Sequence, residues 1–253
     1  MKFSIVTCTR NSAATLADTV DSVQLQSYRD VEHIFVDGGS TDGTIEMIRA
    51  RCPGAKLLSD ITGGISRAMN AGIAAASGDV VSHLHSDDFY ADASVLDRVA
   101  TALQQSRAMW AVGSMDTLCD GVRRPAPRGS LAFSPARYAR GSVAIHHPAV
   151  FVCRDVFDRV GMFDERLRYA MDIDLWFRIG ANFKPIELNA TLAVFRVHAG
   201  SLSTAQSAAA RREEWQVRRR YMARWPLDTL LCGLRHGRMA LRNKRTRSLP
   251  GVA

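Results

Sequence analysis

The sequence predicts an α/β fold built on a mostly parallel sheet flanked by helices. Three observations carry that prediction. Short apolar runs recur through the first 115 residues, each followed by a stretch of helical periodicity. Turn chemistry separates run from helix, as in GGSTDGT (38–44). The ends of the runs are polar, and open α/β sheets bind ligands beyond the carboxyl ends of their strands. With 253 residues, 47% hydrophobic and 23% charged, the chain is large enough to bury a sizeable core.

In order, Phe3–Thr7 reads as a buried strand. Ala14, Leu16, Val20 and Val23 then follow at helical spacing over 12–26, with Asn11-Ser12 as the expected cap. His33–Val36 is a second strand ending at Asp37, and Ile45–Arg51 a helix. Lys56–Ser59 is a third strand, and Gly63-Gly64 opens a helix to about Ala76. Val80–His85 is a fourth strand, before a helix over 94–105 and a strand over 109–114. Residues 123–141 hold three prolines and no clear period, so a loop is expected. A strand over 143–153, a short helix Asp155–Val160 ended by Gly161, a helix Met171–Ala181 and a strand Leu192–Val197 complete the pattern.

Composition excludes some classes. No run of about 18 apolar residues is present to span a membrane, and the N-terminal apolar run is too short for a secretory signal. Five scattered cysteines without Cys-x-x-Cys read as reduced thiols. The net charge of +8 sits in the tail: residues 205–253 hold twelve of the 33 basic and three of the 25 acidic residues. A basic tail suggests an anionic partner.

The fourth strand ends in HLHSDD (83–88). Two adjacent carboxylates repel, so something positive is expected beside them. Asp87-Asp88 can seat Mg²⁺ or Mn²⁺ carrying a diphosphate, because hard cations take carboxylate and phosphate oxygens. An alternative is the His-x-His-x-Asp of a zinc metallohydrolase, His83 and His85 sharing one strand face. A solvated turn is the third reading.

SIVTCTRN (4–11), HIFVDGGSTDGT (33–44), GGISRAMNAGIAAASGD (63–79), HLHSDD, HHPAVF (146–151), GMFDERL (161–167), MDIDLWFR (171–178) and FRVHAGSLS (195–203) occur in that order. Together they resemble the family 2 glycosyltransferases, nucleotide-sugar enzymes of GT-A fold, in particular the non-processive ones that build bacterial surface polysaccharides. The resemblance covers about residues 1–203. It implies a catalytic domain over 1–204, with a nucleotide-sugar-binding half to about 115, an acceptor-side half over 116–204, and a basic helical extension over 205–253.

The resemblance also implies roles. Thr7, Thr9 and Asp37 would hold the nucleotide, and Arg67 and Asn70, three apart on one helix face, would lie near nucleotide or diphosphate. Asp88 would contact the metal, Asp87 the sugar or ribose, and His198 would complete the metal shell. Asp172 would be the base of an inverting transfer, with Asp174 the competitor. The two differ by roughly 200° on a helix, so one alone faces the cleft. Trp176 stacks on a sugar or packs in the core. His146 and His147 would lie near donor or acceptor.

The expected partners are a UDP-, GDP- or dTDP-sugar donor and a glycolipid, lipid-linked oligosaccharide or polysaccharide acceptor. No nucleic-acid module is present. Gln216-Val217-Arg218-Arg219-Arg220 lacks the Trp of the processive motif, so one sugar per encounter is expected. Leu227, Leu230, Leu231, Leu234 and Leu241, flanked by arginines, suit the inner face of a membrane. A helix packed on the catalytic domain is the other reading. A nucleotide-sugar-binding protein without catalysis is the non-enzymatic alternative.

Overall fold

A computed structural model describes residues 1–125, 132–197 and 208–222. Its strands are β1 Phe3–Thr9, β2 Val31–Asp37, β3 Lys56–Leu58, β4 Val80–His83, β5 Phe89–Tyr90, β6 Trp110–Cys119, β7 Val122–Arg124, β8 Val150–Cys153 and β9 Ile186–Val197. Its helices are α1 Leu16–Gln24, α2 Thr44–Arg51, α3 Ile65–Ala75, α4 Val95–Ser106, α5 Pro135–Ala139, α6 Asp155–Val160, α7 Met171–Asn182 and α8 Ala208–Met222, with a 3₁₀ turn at His147–Ala149.

One sheet runs in the order β3-β2-β1-β4-β8-β6-β9-β5, and β7 pairs with β6. The expected parallel pairing holds over β3-β2-β1-β4 and again at β6-β9. β8 runs antiparallel to both β4 and β6, and β5 to β9. The sheet is thus parallel where βαβ units built it and mixed beyond β4.

β1 is buried along its whole length, which explains its continuous apolar run. α3 packs on it so closely that a Cβ at Gly72 would lie 2.2 Å from Val6 Cγ1. α1 buries Leu16, Thr19, Val20 and Val23 on one face. Glu32 staples the β4 start to β1 and β2, accepting from Ser4 Oγ at 2.5 Å, Ser77 N at 2.6 Å and Gly78 N at 3.1 Å. The core of the second half of the chain centres on Trp110 and Trp176, stacked at 6.1 Å.

Several local expectations shift. α1 starts at Leu16, not beside Asn11-Ser12. Asn11 sits at φ 51° and accepts from Thr41 N, while Ser12 N donates to Thr44 Oγ1. The expected cap is diverted to hold the loop after β2. The strand expected over 143–153 shrinks to Val150–Cys153. Pro148 has no N–H for a ladder, and His147–Ala149 coils as 3₁₀. The expected loop over 123–141 contains α5, capped by Ser134 Oγ accepting from Arg137 N at 3.2 Å; residues 126–131 lie outside the description.

α8 is a helix within the basic extension expected over 205–253. It packs on α5 and α7 and buries Val217 and Met222 completely. Among the described residues no helix is long and apolar enough to cross a membrane. The leucine stripe 227–241 lies outside the described residues.

Candidate active site

Parallel pairing of β1, β2 and β4 brings their carboxyl ends side by side. Thr9 Oγ1 donates to Asp37 Oδ2 at 2.7 Å, Gly38 N to Thr9 O at 2.9 Å, and Ser86 Oγ to Ser12 Oγ at 2.8 Å. Asp37 also accepts from the amides of Gly39 and Ser40, at 2.9 and 2.8 Å, and from Ser40 Oγ at 2.5 Å. Burial alone would raise its pKa, but the Ser40 hydroxyl and amide, the Thr9 hydroxyl and the Gly39 amide outweigh it and lower it. Asp37 is therefore an ionised, preorganised carboxylate.

Thr7 is fully buried, its hydroxyl donating to Leu84 O at 2.8 Å and lying 2.9 Å from His33 Nε2. It joins β1, β2 and β4 below the cleft. Asn70 is also spent on the fold. Its amide donates to Phe163 O at 3.0 Å and Glu165 Oε1 at 2.9 Å, and accepts from Phe163 N at 2.9 Å. Arg67 is exposed at the start of α3, its stem over Gly63, where an added Cβ would sit 2.9 Å from Arg67 Cδ. Gly63, at φ +106°, permits that approach.

Asp88 is buried in the loop between β4 and β5, immediately before Phe89 and beside the half-buried Asp87. Desolvation, and then the Asp87 charge, push its pKa well above the carboxylate range; the Arg196 amide and guanidinium pull the other way. Asp88 Oδ1 accepts from Arg196 N at 3.2 Å, and Thr19 Oγ1 donates to Asp88 O at 2.7 Å. The Arg196 guanidinium lies over Phe89, donates to Asp87 O at 3.2 Å and pairs with Asp18 on α1. A buried carboxylate facing a like charge fits a cation and its phosphates. Among the described residues no three His, Cys, Asp or Glu side chains are arranged to hold a metal by themselves. His198 lies outside the described residues.

Sequence reasoning missed Arg196. It precedes His198 by two residues in FRVH, and nothing in that spacing announces a clamp on the acidic loop.

Beside the acidic loop, His85 stacks on His147 at 5.1 Å, His83 lies 5.5 Å from His147, and Trp176 of α7 lies 5.8 Å from His147. Burial lowers the pKa of all three histidines, that of His83 to about 3, so the cluster is neutral. His146 is half-buried and shifted the same way. Trp176 is a core residue, 2% exposed.

α7 separates its two acids as helical geometry requires. Asp174 is buried, with Oδ2 accepting from Arg178 Nε at 2.8 Å and Oδ1 from Tyr221 Oη at 2.8 Å. Arg178 in turn donates to the carbonyls of Val160, Gly161 and Met162 at 2.6, 3.0 and 2.7 Å. Asp172 is partly exposed and accepts from Ile173 N at 2.7 Å. Desolvation raises its pKa to about 6; Glu214 adds to the rise, and the Ile173 amide and Arg218 oppose it. A carboxylate titrating near neutrality is suited to proton abstraction.

Comparison with known proteins agrees with this geometry. The family described as Glycosyl transferase family 2 matches residues 4–160. A Mycobacterium tuberculosis protein named as an uncharacterized glycosyltransferase is 33% identical over 199 residues, 76% of this chain and 74% of its own. A PGL/p-HBAD biosynthesis glycosyltransferase of Mycobacterium bovis is 33% identical over 186 residues, 71% of this chain and 70% of its own.

Among solved structures, Staphylococcus aureus TarS 1-349 in complex with UDP-GlcNAc superposes with TM-score 0.71 at 21% identity, over 87% of this chain. This chain spans 65% of that TarS chain. Mannosyltransferase PcManGT from Pyrobaculum calidifontis, in complex with GDP-Man and Mn²⁺, superposes with TM-score 0.65 at 17% identity, over 88% of this chain and 63% of its own. These two likenesses show the fold, and the family match over residues 4–160 excludes the metallohydrolase reading of HLHSDD. The chain belongs to glycosyl transferase family 2.

Proposed function

We propose that this glycosyltransferase moves one sugar, with inversion, from a nucleotide-sugar to a hydroxyl of a glycolipid, lipid-linked oligosaccharide or polysaccharide acceptor in cell-surface polysaccharide synthesis. The observation that carries the reading is Asp88: a buried carboxylate beside Asp87, at the strand ends where Asp37 and Thr9 form an ordered wall. Relatives support it, since one is named for a biosynthetic glycosyltransferase and two fold neighbours were solved with UDP-GlcNAc or with GDP-Man and Mn²⁺.

In this mechanism Asp37, with Thr9 behind it, recognises the nucleotide, Thr7 supports that wall from below, and Arg67 approaches the phosphates. Asn70 acts by fixing the 163–165 turn. Asp87 contacts sugar or ribose. Asp88 would hold Mn²⁺ or Mg²⁺, and His198 would serve as a further ligand. When bound, the cation supplies positive charge to the departing nucleoside diphosphate. Asp172 takes the proton of the acceptor hydroxyl as that oxygen attacks the anomeric carbon, in one displacement. A lipid-linked acceptor and a basic sequence over 205–253 would suit an enzyme working in the cytoplasm, at the inner face of the membrane.

Thermal shift tests the reading. UDP-, GDP- and dTDP-sugars are screened with and without Mn²⁺ on the wild type and Asp88→Ala. A ligand at a hundredfold its dissociation constant stabilises by about 2.7 kcal/mol. The expected result is a Mn²⁺-dependent rise with one nucleotide class, lost in Asp88→Ala. An equal Mn²⁺-dependent rise in the variant, or none with any donor, would remove the metal role of Asp88. Binding without turnover across an acceptor screen would favour a non-catalytic binder.

A further inference from the structure

α8 begins beyond the stretch that carries the family motifs, yet it reaches the base of α7. The residue before α7 is Ala170, which has no side-chain acceptor to cap the helix. A carboxylate from α8 stands in. Glu213 Oε1 accepts from the amides of Arg168, Tyr169 and Ala170 at 3.0, 2.6 and 2.8 Å, and Oε2 from Arg168 N at 3.2 Å. A negative charge at a helix N-terminus also meets the positive end of its dipole. Asp172 is the second residue of that helix.

α8 is held firmly enough to do this. Val217 and Met222 are fully buried, and Tyr221 stacks on Phe177 of α7 at 4.3 Å while donating to Asp174. Arg218 is buried, its Nε donating to Glu214 Oε1 at 2.8 Å; its guanidinium lies over the Tyr138 ring and donates to Tyr138 O. The charged and titratable groups that act on Asp172 are Glu214 and Arg218 from α8, and Tyr138 from α5.

We propose that Glu213 is a positioning residue for Asp172: by capping the chain entering α7 it fixes the proposed base, which makes α8 a working wall of the active site. The inference rests on the reading of Asp172 as the base. An unbound cap would let residues 168–172 fray and admit water to the Asp172 carboxyl.

The test is carboxyl ¹³C NMR of the full chain labelled at aspartate, with the Asp172 signal assigned by its disappearance in Asp172→Asn. The wild-type signal should titrate near 6. In Glu213→Ala the midpoint should fall by one unit or more toward the ordinary carboxylate range, and amide exchange at 168–170 should accelerate at least tenfold. Arg212→Ala, an exposed change on the same helix, should move neither. Glu213→Gln keeps the acceptor oxygen and should fall between, which preserves the test if Glu213→Ala folds poorly.

An unchanged Asp172 midpoint in folded Glu213→Ala or Glu213→Gln overturns the positioning role, because a merely structural cap would lower the melting point and leave the titration alone. UDP release from UDP-GlcNAc and GDP release from GDP-mannose are followed in the same variants. Full release by Asp172→Asn overturns the reading of the base itself. Its loss in Asp172→Asn but not in Glu213→Ala overturns only the role of Glu213.

Discussion

The carboxyl end of the parallel sheet and the start of helix α7 handle carboxylates in opposite ways. At the ends of β1 and β2, Asp37 is saturated by two amides and two hydroxyls, and its ionised form is favoured. On α7, the partly exposed Asp172 has a largely desolvated carboxyl, one neighbouring amide and the Glu214 charge nearby, so its ionised form is disfavoured. The first arrangement suits a fixed recognition charge, the second a group that gives and takes a proton. Asp174, two residues on, shows that the contrast lies in the surroundings, since Arg178 and Tyr221 convert the same residue type into a structural tie.

The largest expected effect breaks the second side of that comparison. Asp172→Asn should lower transfer by about 10²–10⁴-fold, the usual contribution of general base catalysis, with nucleotide affinity unchanged by calorimetry. Wild-type turnover in the variant would return the role to another residue.

Asp88→Asn follows. Mn²⁺ stimulation of turnover should vanish, while the metal-free protein melts higher because the buried like-charge repulsion is removed. Isothermal titration with Mn²⁺ and differential scanning calorimetry read the two parts separately.

Asp174→Asn should leave the site chemistry alone and weaken the fold. Breaking a buried, hydrogen-bonded ion pair typically costs about 3–5 kcal/mol, and the remaining Tyr221 bond puts the expectation at the lower end, read by urea denaturation. A loss of turnover without a loss of stability would erase the distinction between the two acids. Gly72→Ala should cost about 1–3 kcal/mol, because its Cβ would overlap Val6 and push α3 off β1.

The smallest effect is a pH dependence. A carboxyl group with a raised native pKa favours folding while protonated and loses that contribution as pH rises through the native value. For Asp172 the window runs from about 4 to about 6. Turnover should move the other way, rising with pH through about 6 as the base ionises. The melting-point difference between Asp172→Asn and wild type should therefore become more positive between pH 5 and pH 8, by roughly 2–5 °C. A difference that does not change with pH would mean that the carboxyl is better hydrated than its surroundings imply.

The sequence by itself determined the alternation of strands and helices, the acidic doublet after β4, and the pair of acids on α7, one of which is the proposed base. Those features are local: apolar period, turn residues and spacing fix element type and which residues share a face. It also determined that two acids two residues apart on a helix point apart. The tertiary structure alone decided their partners. Asp174 meets Tyr221, 47 residues away, and Glu213 meets amides 43 to 45 residues away.

Thr7 and Asn70 show the same limit, since motif position put both near the nucleotide and their hydrogen bonds tie them to β4 and to the 163–165 turn. Arg196 and the antiparallel β8 were not legible either, because which strand lies beside β4 and what reaches its acidic end depend on how the second half folds back. Hydrogen bonds and burial between distant segments leave no period in the chain, so only packing distinguishes a recognition charge, a proposed base and a structural tie among residues of one type.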